Sequence, residues 1–258
     1  MNFQKSFLKS FFLILILAFS SSVFYSCGSS KGSDITTDDP ERAFLLAKSR
    51  YDKKDYLDAI DDFNLIKLKF SGSSVIDKAI FYLGMSYYKR EEYILAVYEF
   101  ETLIKSYPTS SLIEDARYYL SMCYYRLSPA YNLDQIYTKY AINEFQNFLE
   151  LYPKSKYANE GESRIIELKN KLSLKAYKSA ELYFNLGNYK SALVYFDNVL
   201  DEYFDTEYAD DALYGKIQAL MIKKQYDKAR KEVERFENRF PLSEYLTRVK
   251  ALKSQIPL

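Results

Sequence analysis

Histidine and tryptophan are absent from this chain of 258 residues, and cysteine occurs only twice. Without an imidazole there is no His-liganded metal site, no His general acid or base, and no Ser–His or Cys–His nucleophile. Two cysteines are too few for a Cys-rich zinc site. Glycine is scarce at seven, and neither GxxxxGK nor GxGxxG occurs, so a phosphate-cradling loop has no material. Charge of one sign is not in excess: 36 Lys+Arg face 35 Asp+Glu, for a formal net charge of +1. That balance argues against a nucleic-acid partner. Composition thus favours a binding or scaffold protein over an enzyme, with no cofactor and no metal implied. What the chain has in quantity is aromatic: 27 Tyr and 18 Phe.

Long apolar runs are missing too, with one short exception. Lys5 and Lys9 precede Phe11–Phe19, which is almost wholly apolar, and Ser20–Ser22 and Ser26 lead into Cys27. A basic start, a short apolar run and a small residue before a cut site describe an export signal. The run is too short to cross a bilayer comfortably. Ser26 directly before Cys27 resembles a bacterial lipoprotein signal, in which cleavage exposes a cysteine that carries acyl chains such as palmitate. The alternative is an ordinary secretory signal with an incidental cysteine. Gly28-Ser29-Ser30-Lys31-Gly32-Ser33 reads as a flexible polar tether and favours the lipid reading. A lipidated Cys27 leaves Cys123 without a disulfide partner. Cys123 lies in an apolar helical pattern and is expected to be a buried, inert thiol.

From Asp38 onward apolar residues recur at helical spacing, and Pro and Gly only punctuate. The clearest unit reads Leu83-Gly84-x-x-Tyr87, then Tyr93-x-x-Ala96-x-x-x-Phe100, then Tyr107-Pro108. Its second half recurs around Ala59 and Phe63, Ala141 and Phe145 with Pro153, Ala192 and Phe196, and Ala229 with Pro241. The unit resembles the tetratricopeptide repeat, a helix pair of about 34 residues. Small residues such as Gly84 and Ala96 let two helices approach closely. Phe100 and its counterparts fill the space beside the crossing, each burial contributing about 2–3 kcal/mol. Pro108, Pro153 and Pro241 stop the second helix. No pair buries its apolar face alone, so the pairs stack.

The fold expected is all-α: a superhelix of five helix pairs with a short capping helix over Ser243–Ser254. Residues 1–26 are the signal peptide, 27–37 the lipidated tether, 38–158 repeats one to three, and 159–258 repeats four and five with the cap. Two irregularities stand out. Leu127 to Gln135 inserts a Pro129-containing loop in the third unit, and Lys156 to Leu186 lacks any breaker except Gly161, which predicts one long helix.

In such superhelices the first helix of each unit lines the concave face. The alanine register points Phe44, Phe81 and Tyr118 inward, with Tyr51, Tyr88 and Tyr125 seven residues on and Met85 and Met122 between. A groove of aromatics and methionines suits an extended peptide with apolar side chains. The alternative is that these rings fill the interior of a strongly curved superhelix.

Taken whole, the chain resembles the outer-membrane assembly lipoprotein family BamD. The resemblance rests on the lipoprotein start, the five repeats, the insertion with Asp134-Gln135, Thr138 and Ala141, and the stretch Tyr152-Pro153-Lys154-Ser155-Lys156-Tyr157-Ala158. It implies a lipid-anchored, periplasm-facing adaptor at the outer membrane, whose C-terminal units bind a POTRA domain of the insertase BamA. It also implies N-terminal units that receive the aromatic signal strand of unfolded outer-membrane proteins. Members carry an arginine on the second helix of unit four near the insertase contact. Tyr195 stands at the matching position here, which exchanges a salt bridge for an aromatic anchor, and Tyr214 is the second interface candidate. A repeat lipoprotein serving pilus secretin or cell-wall assembly is the competing reading.

Overall fold

The structure is a computed structural model that describes residue 33 and residues 35–257. The stretch read as a signal peptide, and Cys27, lie outside the described residues. Among those described there are eleven helices and no strand. Five antiparallel pairs run α1 (Pro40–Asp52) with α2 (Tyr56–Lys69), α3 (Ile76–Lys89) with α4 (Tyr93–Ser106), α5 (Ile113–Leu127) with α6 (Ile136–Leu151), α7 (Ala158–Asn185) with α8 (Tyr189–Glu202), and α9 (Ala209–Ile222) with α10 (Tyr226–Arg239). A single helix, α11 (Leu246–Lys253), closes the C-terminal end. The chain is a tetratricopeptide-repeat solenoid. The loop before α6 and the long helix α7, of 28 residues, stand where the sequence pattern puts them.

Local chemistry sets the boundaries. Asp39 accepts from the Glu41 amide and Pro40 occupies the first turn, so the stack starts on a capped helix. Inside four of the five pairs the turn takes one residue in the left-handed region. Lys54, Glu91 and Lys224 take it, and in the fourth unit Gly187 does so without a Cβ penalty. Every second helix ends on an aromatic residue whose amide bonds back four residues: Phe70, Tyr107, Tyr152, Tyr203 and Phe240. Pro follows three of these.

Just beyond each aromatic lies a Ser or Thr that ties the turn to a neighbouring helix. Ser110 Oγ donates to Asp77 at 2.6 Å, Ser155 to Glu114 at 2.6 Å and Ser243 to Asp210 at 2.7 Å. In the first unit Ser74 donates to Glu41 at 3.0 Å. In the fourth, Thr206 reaches Ser173, in mid-α7, at 2.7 Å. These bonds recur in every unit and fix the rise from one pair to the next.

The core is continuous along the stack. Ala47, Ala96, Ala141, Ala192 and Ala229 are fully buried at the crossings, beside Phe63, Phe100, Phe145 and Phe196. Ala59 and Leu83 are likewise sealed, Gly84 backs onto the Phe100 ring, and Tyr87 packs partly buried against the same cluster. Cys123 is buried and has no disulfide among the described residues, and burial pushes its thiol above the usual range. The native chain should therefore resist an aromatic disulfide reagent at mildly alkaline pH and react fully only in denaturant; rapid native labelling would contradict the packing. No helix among the described residues is long and apolar enough to cross a membrane.

Candidate partner-binding site

A second periodicity runs down the outer side of the second helices. The residue before the core Phe, or Val233 in the fifth unit, is acidic in four of the five units. Asp62 precedes Phe63, Glu99 precedes Phe100, Glu144 precedes Phe145, and Glu232 precedes Val233. These carboxylates are buried or half-buried. Asp62 pairs with Arg50 at 3.2 Å, Glu99 with Lys67 at 2.7 Å, and Glu232 with Lys216 at 2.6 Å. Burial holds the Glu99 and Glu144 carboxyls above the usual range, and the neighbouring Lys67 and Arg117 charges oppose that shift. In the fourth unit the ladder breaks: Tyr195 takes the acid's place and is 36% exposed. Its ring stacks on Tyr183, with centroids 5.2 Å apart and planes 14° apart.

The break opens a cleft of about 460 Å³ where three elements meet. Asp134, Ile136 and Lys139 come from the inserted loop and the start of α6, Lys175 from mid-α7, and Tyr195 and Tyr203 from α8 and its end. Leu133, Ile136 and Val194 leave apolar surface exposed around it. The lining mixes apolar and aromatic side chains (Ile136, Leu172, Tyr195, Tyr203) with polar ones that include two lysines, a composition that suits a protein partner's anchor residue.

The loop beside the cleft is strapped down. Gln135, buried, donates to the carbonyls of Ala130 at 2.8 Å and Leu133 at 3.0 Å, and accepts from the Thr138 hydroxyl at 2.7 Å. Ser128 and Thr138 share a hydrogen bond of 2.6 Å. From α7, Lys171 donates to Ser128 Oγ and Lys175 to the Leu133 carbonyl. Gln135→Leu removes three hydrogen bonds at once and leaves the Ala130 and Leu133 carbonyls and the Thr138 hydroxyl with one partner each, so it is expected to cost about 1–3 kcal/mol. Limited proteolysis should then cut within residues 128–135, where the wild-type loop resists; an unchanged digestion pattern would contradict the strap.

The concave-face candidates divide. Phe44, Phe81, Met85, Tyr118 and Met122 are interior side chains, no more than 8% exposed. The reading of an open groove does not hold for these five, because first helices pack against helices on two sides. Phe44 sits against Phe63 and Tyr82, and Tyr118 stacks on Tyr157 at 3.8 Å and so holds the start of α7. Tyr51, Tyr88 and Tyr125 are half-buried. The first two close the turn of their own pair, edge-on to Tyr56 and Tyr93 at 5.5 Å each. Unit three has Thr138 where Tyr56 and Tyr93 stand, and Tyr125 turns to α7 instead, donating to Glu167 at 2.8 Å beneath the Arg164 guanidinium.

The two interface candidates are not equivalent. Tyr195 presents a free edge to the cleft. Tyr214 is half-buried, stacked on Tyr245 at 4.7 Å, and joins unit five to the cap. Sequence reading passes over the acid ladder because single charged residues on a helix read as solvated; the recurring acid–Phe dipeptide is the signal that reveals it.

Comparison with known proteins follows this geometry. The family model described as YfiO, outer membrane lipoprotein, matches residues 36–222. No curated protein matches the chain. Among solved structures it is similar to a thermophilic TPR protein of Thermus thermophilus, at 14% identity over 83% of this chain and 98% of that one, with a TM-score of 0.36. It is also similar to a TPR repeats protein of Bacteroides fragilis, at 14% identity over 85% of this chain and 98% of that one, with a TM-score of 0.45.

Proposed function

The chain belongs to the YfiO family of outer membrane lipoproteins, and from that premise we propose that it is a non-enzymatic adaptor of β-barrel assembly. In this reading acyl chains on Cys27 hold it to the periplasmic face of the outer membrane. Units four and five bind a POTRA domain of a BamA-like insertase, with Tyr195 as the anchor and Tyr214 bracing the same half. Units one to three receive the aromatic signal strand of unfolded outer-membrane proteins, and Tyr51, Tyr88 and Tyr125 are the side chains with surface left to meet it.

The observation that carries the proposal is the ladder break. Four units carry a buried or half-buried acid where the fourth exposes a tyrosine above a cleft. The stack on Tyr183 occupies one face of this ring and leaves the rest 36% exposed beside the cleft, as suits a protein interface enriched in tyrosine. The strapped loop and α7 make the cleft preorganised, which lowers the ordering cost of association.

Mild crosslinking of the full lipoprotein in its native membranes, followed by capture, tests the assignment. A POTRA-bearing barrel protein should be recovered as the main partner. Recovery of secretin or cell-wall synthesis components in its place would refute the insertase reading.

A further inference from the structure

Leu45 and Leu46 on α1 face away from the core, at 65% and 47% exposure. The repeat explains why that is unusual. At the place of Leu45 the next two units carry Tyr82 and Tyr119, which stack on Phe63 and Phe100 of the preceding unit with centroids 6.0 and 6.1 Å apart. At the place of Leu46 they carry Leu83 and Leu120, both buried. These are the positions by which one repeat seats on the one before, and α1 has no repeat before it. End units of solenoids keep a polar outer face; this one sets two adjacent leucines among the exposed Glu41, Arg42 and Ser49. Leu68 on α2 adds to the exposed apolar surface of the first unit, at 82% exposure. The other second helices carry Lys105, Glu150, Asp201 and Asn238 there.

We propose that this N-terminal end rests on the phospholipid surface that holds the Cys27 anchor, with Leu45, Leu46 and Leu68 at the boundary between headgroups and acyl chains. The proposal rests on the lipid-anchor reading above. The length of the leader selects the occupant. From Cys27 to Ile35 the chain spans at most roughly 30 Å, at about 3.3–3.6 Å per residue. Ile35 is itself buried with Ala43, Phe44 and Ala47, within the stretch read as tether. Lys69 then holds Asp38 and the Thr37 carbonyl, so Leu68 flanks the point where the chain enters the solenoid. An anchor at Cys27 therefore keeps this end beside the bilayer. The leader cannot cover the leucines itself, because Gly28 to Asp34 contains no apolar side chain beyond glycine. Arg42, exposed one turn before Leu45 and Leu46, can lay its stem on the apolar surface and leave its charge among the headgroups.

The absence of tryptophan makes the test direct. Leu45→Trp or Leu68→Trp gives a protein with one reporter, and Leu242→Trp, 97% exposed after α10, is the control at the far end. The processed lipoprotein is reconstituted into vesicles of phosphatidylethanolamine and phosphatidylglycerol with brominated acyl chains. Emission from Leu45→Trp and Leu68→Trp should shift to the blue and be mostly quenched, while Leu242→Trp keeps its emission. Solvent-like, unquenched emission from a protein that floats with the vesicles overturns the proposal and leaves the anchor intact. Blue-shifted but unquenched emission means that a second copy or another protein covers the face, and also overturns it. A protein that does not float refutes the anchor and this proposal with it.

Discussion

Tyr195→Glu is expected to weaken association with the POTRA-bearing partner by roughly 30-fold or more, about 2 kcal/mol, while thermal stability falls only by the loss of the Tyr183 stack, about 0.5–1.5 kcal/mol. The two halves of the expectation come from different observations. A carboxylate at this position is what Asp62, Glu99, Glu144 and Glu232 already show the helix pair can accommodate. The cleft also offers Lys139 and Lys175 as nearby cations. At the surface, however, the substitution removes an aromatic ring that stands half in water and puts a solvated charge in its place. Tyr195→Phe keeps the ring and should keep most of the affinity. Titration calorimetry with a purified POTRA fragment, beside circular-dichroism melting, separates the two effects; an unchanged Kd for the glutamate variant removes Tyr195 from the interface. Tyr214 is the poorer probe, since it does not line the cleft and its ring joins unit five to the cap through Tyr245.

Gly215→Ala should destabilise the C-terminal units by about 1–3 kcal/mol, the range for forcing extra atoms into a packed interior. A Cβ on Gly215 would lie 2.4 Å from Cζ and 2.6 Å from Cε1 of Phe196, a ring that is 2% exposed. The repeat makes the reason visible. In the register that places Tyr82 over Phe63 and Tyr119 over Phe100, the fifth unit has Gly215 over Phe196. Here the ring of the earlier unit occupies the space that a tyrosine of the later one fills elsewhere. Melting should drop by several degrees, at roughly 2–4 °C per kcal/mol for a chain of this size. Phe196→Leu in the same chain should recover part of the loss, and a double-mutant cycle should give a coupling of about 0.5–3 kcal/mol. Gly72→Ala is the contrast, because nothing lies within 4 Å of a Cβ there. Strict additivity of the Gly215 and Phe196 changes would show that the ring is not what the glycine accommodates.

Helix pairing is legible in the sequence because three independent signals agree along the repeats: a small residue at the crossing, an aromatic four residues on, and a stop after the second helix. The long helix is legible from the mere absence of breakers between Lys156 and Leu186, and the inserted loop from Pro129. The orientation of the first helices is not. Phe44, Phe81 and Tyr118 recur at one register, but a helix packed on two sides is apolar around most of its circumference, so periodicity cannot separate an inward ring from an interior one. Gly215 is illegible for another reason: its role exists only against Phe196 in the neighbouring unit, and no local pattern marks it. The turn serines are partly legible. Tyr152-Pro153-Lys154-Ser155 stands out as a motif, yet the bond from Ser155 to Glu114 crosses from one helix pair to another and is invisible to spacing within a unit.

The 28-residue helix α7 has a mechanical consequence. At about 1.5 Å per residue it is a rod of roughly 42 Å. Its start is clamped by Tyr157 on Tyr118, its middle by Lys171 and Lys175, and its last turn by Phe184 on Tyr189. Clamped at three points, it transmits torque instead of absorbing it. A small angular change imposed beside Phe184 becomes a sideways load on the Tyr157–Tyr118 stack, so whatever grips unit four also bears on unit three, as a lever does about its fulcrum.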